Sequence, residues 1–272
     1  MITAAGERRL EDQEPLLCAQ AVPEGYLLTT TSESVWWHRT LEHRCSTTPH
    51  RHSEHVVVWP ESRSATITVE GELWPLSLGE GAWLPAGTPH AVTHGSSALV
   101  CCTHVRPLAI ETEAGEPRTV TVNTALREML LHLAHTGMPR ERRLRAQRVC
   151  LEMITDEAQP PVTVATPVDP RIRELAAAIM ADPSDDSSLE DWAWRTSMSA
   201  RTIARAFRAE TGMTFTQWRT RVRMLAAVEL LGAGKPVGLV ARRVGYATIS
   251  AFSAAFSRTM GRPPRDYQQP RA

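Results

Sequence analysis

The C-terminal third of this chain spells the same short pattern twice, and that repetition leaves few folds open. Leu189 to Thr196 reads as a short helix, Ser197-Met198 as a turn, and Ser199 as the cap of a helix running to about Thr211. Val237 to Val244, then Gly245-Tyr246-Ala247, then Thr248 ahead of a run to about Met260, repeats the arrangement. A short helix, a tight turn and a longer capped helix form the sequence shape of a helix-turn-helix. Between the copies Phe215 to Leu231 reads as one helix, roughly 25 Å long at 1.5 Å per residue. A spacer of that size can hold two recognition helices about 34 Å apart, one turn of duplex.

Boundary signals support these helices. Asp169-Pro170 reads as an N-cap followed by Pro at the first helical position. Ser188 with Asp191 resembles a capping box, and Gly212, Gly232 and Gly261 stand where left-handed C-caps are expected. Charge is divided as well. Residues 1–164 hold 14 Arg and no Lys against 20 acids, giving −6; residues 165–272 hold 15 Arg and one Lys against 10 acids, giving +6. The basic half is suited to a polyanion.

Ser188-Leu189-Glu190-Asp191-Trp192-Ala193, Ser199-Ala200-Arg201-Thr202-Ile203, Phe207-Arg208-Ala209-Glu210-Thr211-Gly212-Met213, Trp218-Arg219 and Arg223-Met224 stand in the first half of this region. Val244-Gly245-Tyr246, Ser250-Ala251-Phe252 and Phe256-Ser257-Arg258-Thr259-Met260-Gly261-Arg262-Pro263-Pro264 follow. In this order and spacing they resemble the DNA-binding domain of the AraC/XylS regulators over roughly residues 169–268. The resemblance implies double-stranded promoter DNA as partner. Helical period assigns Ile203, Phe207, Phe252 and Phe256, with Trp192 and Trp218, to packing. It turns Arg201, Thr202, Arg205 and Arg208 outward, where arginine can fork onto guanine or hold phosphate. The second recognition helix offers Thr248, Ile249, Ser250 and Ser253 without a base-reading arginine; Arg258, Arg262 and Arg265 near its end read as phosphate contacts.

The first half has another period. From about Tyr26 to Val105, short β-rich runs broken by Gly and Pro predict an antiparallel sandwich or barrel. Gly79-x5-Pro85-x-Gly87-x2-His90-x3-His94 resembles the second cupin motif, with His94 where that family has Asn, and His50-x-His52 resembles the start of the first. The acid expected four or five positions after His52 is absent, because Val56 and Val57 stand there. Period-two spacing puts His50 and His52 on one strand face, and His90 from an opposing hairpin can meet them. Three imidazoles suit Zn, Ni, Fe or Mn, with His55 or Glu54 as a substitute for the missing ligand. The same histidines also suit a metal-free effector pocket or a purely structural role. Vicinal Cys101 and Cys102 are expected on opposite faces of one strand.

Near Asn123 the period becomes helical, with Leu126, Leu130 and Leu133 on one face, and a second helix is predicted from about Glu141 to Glu157. Their apolar stripes suit a homodimer interface or a cap on the barrel. The organisation expected is α+β: an N-terminal arm (1–25), a cupin-like antiparallel β-barrel (26–110), connector or dimerisation helices (111–158), a linker (159–168), and an all-α domain with two helix-turn-helix units (169–268). No apolar run approaches a membrane span, no secretory signal opens the chain, and five irregularly spaced cysteines suit a reducing cytoplasm. The function expected is a DNA-binding regulator whose cupin senses a ligand or metal, without catalytic residues. The alternative is a cupin metalloenzyme fused to a DNA-binding module.

Overall fold

The computed structural model describes residues 22–33, 44–95, 99–110, 115–155, 158–159 and 162–268. The expected arm falls mostly on residues 1–21, outside them. Antiparallel strands dominate the first half: β1 (Leu28–Glu33), β2 (Arg44–Ser46), β3 (His55–Ser62), β4 (Ala65–Val69), β5 (Glu72–Leu76), β6 (Glu80–Leu84), β7 (His90–Gly95), β8 (Leu99–Val105) and β9 (Arg118–Thr121). Two short strands follow two helices, β10 (Ala158–Gln159) and β11 (Val164–Ala165). They form a six-stranded sheet, β1-β8-β3-β6-β9-β10, and a five-stranded sheet, β11-β5-β4-β7-β2. These described strands make two sheets rather than the closed barrel that the sequence suggested.

Alternation along the strands sorts the two apolar layers. Val56, Val58, Ile67, Leu76, Leu84, Val100 and Cys102 share one core. Val57, Trp59, Trp83, Cys101, Val105 and Val120 share another, on the opposite face of the six-stranded sheet. Cys101 and Cys102 therefore do face opposite sides of β8.

The second layer is closed by helices α1 (Thr124–His135) and α2 (Arg140–Thr155). Leu126, Leu130, Leu133, Cys150, Leu151 and Ile154 all bury against that sheet. Buried Gln147 fixes α2 to β1, accepting from the Leu27 N–H at 2.9 Å and donating to the Leu28 carbonyl at 2.8 Å. Most of the apolar stripe residues thus face the sheet, which the helices cap, while Val149 of α2 is exposed.

The C-terminal half is helical: α3 (Pro170–Ala181), α4 (Leu189–Thr196), α5 (Ala200–Thr211), α6 (Phe215–Gly232), α7 (Val237–Arg243) and α8 (Ile249–Met260). The expected caps form. Asp169 accepts from Arg171 N–H, Ser188 and Asp191 make a reciprocal capping box, and Ser199 and Thr248 cap α5 and α8. Gly212 and Gly261 take left-handed conformations at φ 68° and 76°. Gly232 does not: it ends α6, and the left-handed residue is Gly234 at φ 73°. Gly232 is needed for close approach instead, since a Cβ there would lie 2.7 Å from Ser64 Oγ of the N-terminal half.

Helix α6 is buried along most of its circumference. Phe215, Trp218 and Val222 join a core with α3, α4 and α5, while Met224, Ala227, Val228 and Leu231 join a second core with α7 and α8. Arg223, on the same helix, is buried and donates to the carbonyls of Pro183 at 3.0 Å and Asp185 at 3.1 Å. Its guanidinium also lies 5.7 Å from the centre of the Tyr246 ring, in the turn before α8.

The segment read as a linker is held to both sheets. Ala158 and Gln159 pair with β9, and Val164 and Ala165 pair with Leu73 and Glu72 of β5. The buried Trp218 indole donates to the Ala165 carbonyl at 2.7 Å, Arg221 donates to Thr163 at 2.9 Å, and Arg262 forms an ion pair with Glu80. The two halves therefore share an interface centred on β5, β11 and α6.

Gly232→Ala decides whether that interface is tight. Alanine in an open helical position would stabilise by about 0.5–1 kcal/mol. Against Ser64 the added methyl overpacks, so denaturant unfolding of the variant is expected to show a loss of about 1–3 kcal/mol. A gain would mean that the halves do not pack here.

Candidate functional site

The outward face of the helical half comes first. On α5, Arg201, Arg205 and Arg208 are exposed, while Ile203, Ala206 and Phe207 fill the core beneath. Thr202 is half-buried and its hydroxyl shares a 2.8 Å hydrogen bond with the capping Ser199. On α8, Thr248, Ile249, Ser250 and Arg258 are exposed and Ser253 is half-buried, over Phe252, Ala255 and Phe256. The Thr248 hydroxyl accepts from Ala251 N–H at 3.1 Å, so this side chain has a capping role. Ile249 is 55% exposed, an apolar tip at the head of α8. Arg262 faces the N-terminal half, paired with Glu80 and with its guanidinium 4.9 Å from the centre of the Tyr267 ring. Arg242 and Arg243, exposed at the end of α7, extend this basic surface, and their place at the end of a short first helix was the available signal. Half-buried Arg219 and buried Arg223 are anchors of the helical core rather than part of it.

The histidines converge from two stretches. His50 and His90 form an isolated antiparallel bridge, each backbone N–H donating to the other's carbonyl at 2.9 Å. The His52 carbonyl accepts from Gly87 N–H at 2.8 Å, in the turn that precedes β7. Gly87 has φ 83°, a backbone that favours glycine and explains the Pro-x-Gly spacing before His90. One potential ligand nitrogen from each of His50, His52 and His90 lies within 4.8 Å of the other two. His52 and His90 are buried, and the Nε2 atoms of both have no hydrogen-bond partner.

Neighbouring carbonyls fix the tautomers. His50 Nδ1 lies 2.8 Å from the Thr48 carbonyl, and His90 Nδ1 lies 3.0 Å from the Thr88 carbonyl. A carbonyl only accepts, so each Nδ1 carries the proton and each Nε2 keeps a lone pair. This is the outer-shell arrangement of metal-binding imidazoles. Burial, then the neighbouring His104, His90 and His50, push the His52 pKa down from 6.5 to about 3. Burial pushes His90 down to about 4, opposed by its bond to Thr88 and aided by His50 and His104. Both imidazoles are neutral at pH 7, the form that ligates.

The other expected ligands are elsewhere. His55 Nδ1 accepts from Ala86 N–H at 2.9 Å and its ring lies against Trp83 at 5.2 Å, so it belongs to a different contact. Burial, followed by Arg118, lowers its pKa. Glu54 accepts from the Ser53 hydroxyl at 2.8 Å and is not in the group. The His94 backbone, on β7, pairs with Ala65 of β4, while its side chain lies outside the described residues. His104, which the sequence motifs passed over, is buried on β8 with its ring 5.0 Å from that of His52. Its position two residues after Cys102 on the inner face was the signal.

The chain is similar to several known proteins. A family model described as a helix-turn-helix domain matches residues 192–270. The HTH-type transcriptional regulator NimR of Escherichia coli (strain K12) is 29% identical over 222 residues, covering 80% of this chain and 81% of NimR. A putative AraC-like transcription regulator of Streptomyces antibioticus is 27% identical over 201 residues, covering 70% of this chain and 65% of that protein. Among solved structures, ToxT from Vibrio cholerae aligns with 89% of this chain and 97% of its own, at 12% identity and a TM-score of 0.36.

Lowered histidine pKa values carry a stability consequence. The unfolded chain takes up protons at these histidines below about pH 6.5, whereas the folded one resists until near pH 4 and pH 3. The metal-free protein is therefore expected to lose stability as pH falls from 6.5 towards 4, and to be insensitive to these groups above 7. Melting temperatures across that range, compared with His52→Gln, check it: the variant's dependence should be shallower. Identical slopes would mean that His52 is solvated.

Proposed function

We propose that the chain is a transcriptional regulator of the AraC family, as its similarity to named relatives supports, and that it reads promoter DNA with two helix-turn-helix units set side by side, under the control of a divalent metal ion held at His50, His52 and His90. The helix pairs α4–α5 and α7–α8 are the two units, with α5 and α8 as recognition helices. The observation that carries this reading is that a single helix of 18 residues, α6, roots both pairs in its own packing. At 1.5 Å per residue it is about 27 Å long, close to the advance of one duplex turn, about 34 Å. One polypeptide can then enter successive major grooves without a partner.

The roles differ between the units. Arg201 and Arg205 on α5 carry base-edge or phosphate contacts, and Arg208 a backbone contact. Ile249 on α8 offers an apolar tip suited to a thymine methyl, Thr248, Ser250 and Ser253 offer hydroxyls, and Arg258 a phosphate contact. Most of the sequence discrimination therefore resides in α5.

Two buried imidazole nitrogens without partners, on His52 and His90, the latter in a fixed tautomer, favour a metal over a purely structural histidine cluster. A bound ion supplies positive charge and a fixed geometry that ties the His50–His52 stretch to β7. Its effect on DNA binding requires different affinities for two arrangements of the halves. The interface of β5, β11 and α6 is where such arrangements differ.

Equilibrium binding to genomic promoter fragments, against random duplex competitor, with and without Zn2+ or Ni2+, tests the proposal. Arg205→Ala is expected to cost about 1–3 kcal/mol on a selected site and to relax its specificity. Arg258→Ala is expected to weaken all fragments alike and to reduce the log–log salt slope by about 1. Equal affinity for selected and random DNA would overturn the reading of DNA, and metal-independent binding the reading of control.

A further inference from the structure

The three-histidine group has one donor fewer than the motif it resembles, and the sheet register shows where another stands. Four residues after His52, where the first cupin motif has its acid, the chain has Val56. Val56 lies on the inner face of β3, in the apolar layer between the sheets. Its cross-strand partner on β8 is His104. Directly opposed residues of an antiparallel pair share a face, with Cβ atoms about 4.5–5.5 Å apart. His104 therefore projects from nearly the place that the absent carboxylate would have occupied.

Three further observations place it at the site. Its ring centre is 5.0 Å from that of His52 at an interplanar angle of 83°, and His52 in turn is 5.2 Å from His90. The His104 residue is 2% exposed. Among the described residues no carboxylate belongs to the histidine group. An imidazole so placed, beside two others with unpartnered Nε2 atoms, is an unusual occupant of a layer whose core is made of Val, Ile, Leu, Ala, Trp and Cys.

Resting on the metal reading above, we propose that His104 supplies the fourth nitrogen of the site, replacing from the neighbouring strand the carboxylate lost at Val56. His104 stands outside the group whose nitrogens lie within 4.8 Å, so ligation requires a torsional adjustment of its side chain. The consequence is a change of ion class. Four neutral imidazoles bring no negative charge, which disfavours hard, oxygen-preferring ions such as Mn2+, Mg2+ and Ca2+. They suit Zn2+, Co2+, Ni2+ and Cu2+. With Zn2+ the site is closed by four protein ligands, the arrangement of structural or sensing sites rather than of catalytic ones, which keep a position open.

The test uses the full chain and Zn2+ alone. X-ray absorption at the zinc edge counts coordinated imidazoles in the wild-type protein and in His104→Ala, and competition against a chromophoric chelator gives affinities. Four imidazoles in the wild type and three in the variant, with binding weakened more than about 100-fold, is the expected result. That loss exceeds the 10–100-fold typical of an outer-shell partner. Three imidazoles in both proteins, with His52→Ala abolishing binding, would overturn the role of His104 and leave the other three histidines standing. A wild-type protein that holds no stoichiometric zinc would bring down the metal reading itself and this inference with it. If His104→Ala fails to fold, the wild-type imidazole count decides alone.

Discussion

Helix α6 must bury two unrelated sides at once, and the arrangement of the helical half follows from that requirement. Its Phe215, Trp218 and Val222 complete one core and its Met224, Val228 and Leu231 complete another, so both helix pairs are closed by the same helix. Backbone hydrogen bonds along one helix then fix the separation of α5 and α8. A flexible connector between two independent modules would set only an average distance. Arg223 reinforces the constraint from within, bonding the loop before α4 and lying over Tyr246 in the turn before α8. Taking a guanidinium out of water is costly unless its donors are used; here they are used on the carbonyls of Pro183 and Asp185, while the guanidinium itself meets the Tyr246 ring.

The same helix meets the sheets. Ala165 accepts from Trp218, pairs with Glu72 on β5, and Glu72 pairs with Val69 on β4. Val69 pairs in turn with His90 on β7, which bridges to His50. One cross-strand row thus runs from the histidine group to the packing of α6. Around that row, Gly232 against Ser64 and Arg262 against Glu80 are further contacts between the halves.

Legibility in the sequence divided along the range of the interactions. Helix ends in the C-terminal half were readable because caps are local: Asp169, Ser188, Ser199, Thr248, Gly212 and Gly261 each act within a few residues. Gly232 was misread as a C-cap because its purpose, room for Ser64, lies 168 positions away (232 − 64). The cluster of His50, His52 and His90 could be anticipated from motif spacing, whereas His55 is drawn off by Ala86 and Trp83. His104 was passed over because it lies outside both motifs, and only the β3–β8 register puts it opposite Val56. The open pair of sheets and the pairing of Ala158 and Gln159 with β9 and of Val164 and Ala165 with β5 are likewise matters of long-range register.

The central claim is spatial, that one rigid chain presents two groove-reading helices a single duplex turn apart. Hydroxyl-radical footprinting of the purified protein on a selected promoter fragment measures this directly. The account predicts two protected patches on one face of the DNA, centred about 10–10.5 base pairs apart, in complexes containing one protein per site. A single patch from such a complex, or two patches with a spacing that varies between fragments, would contradict it.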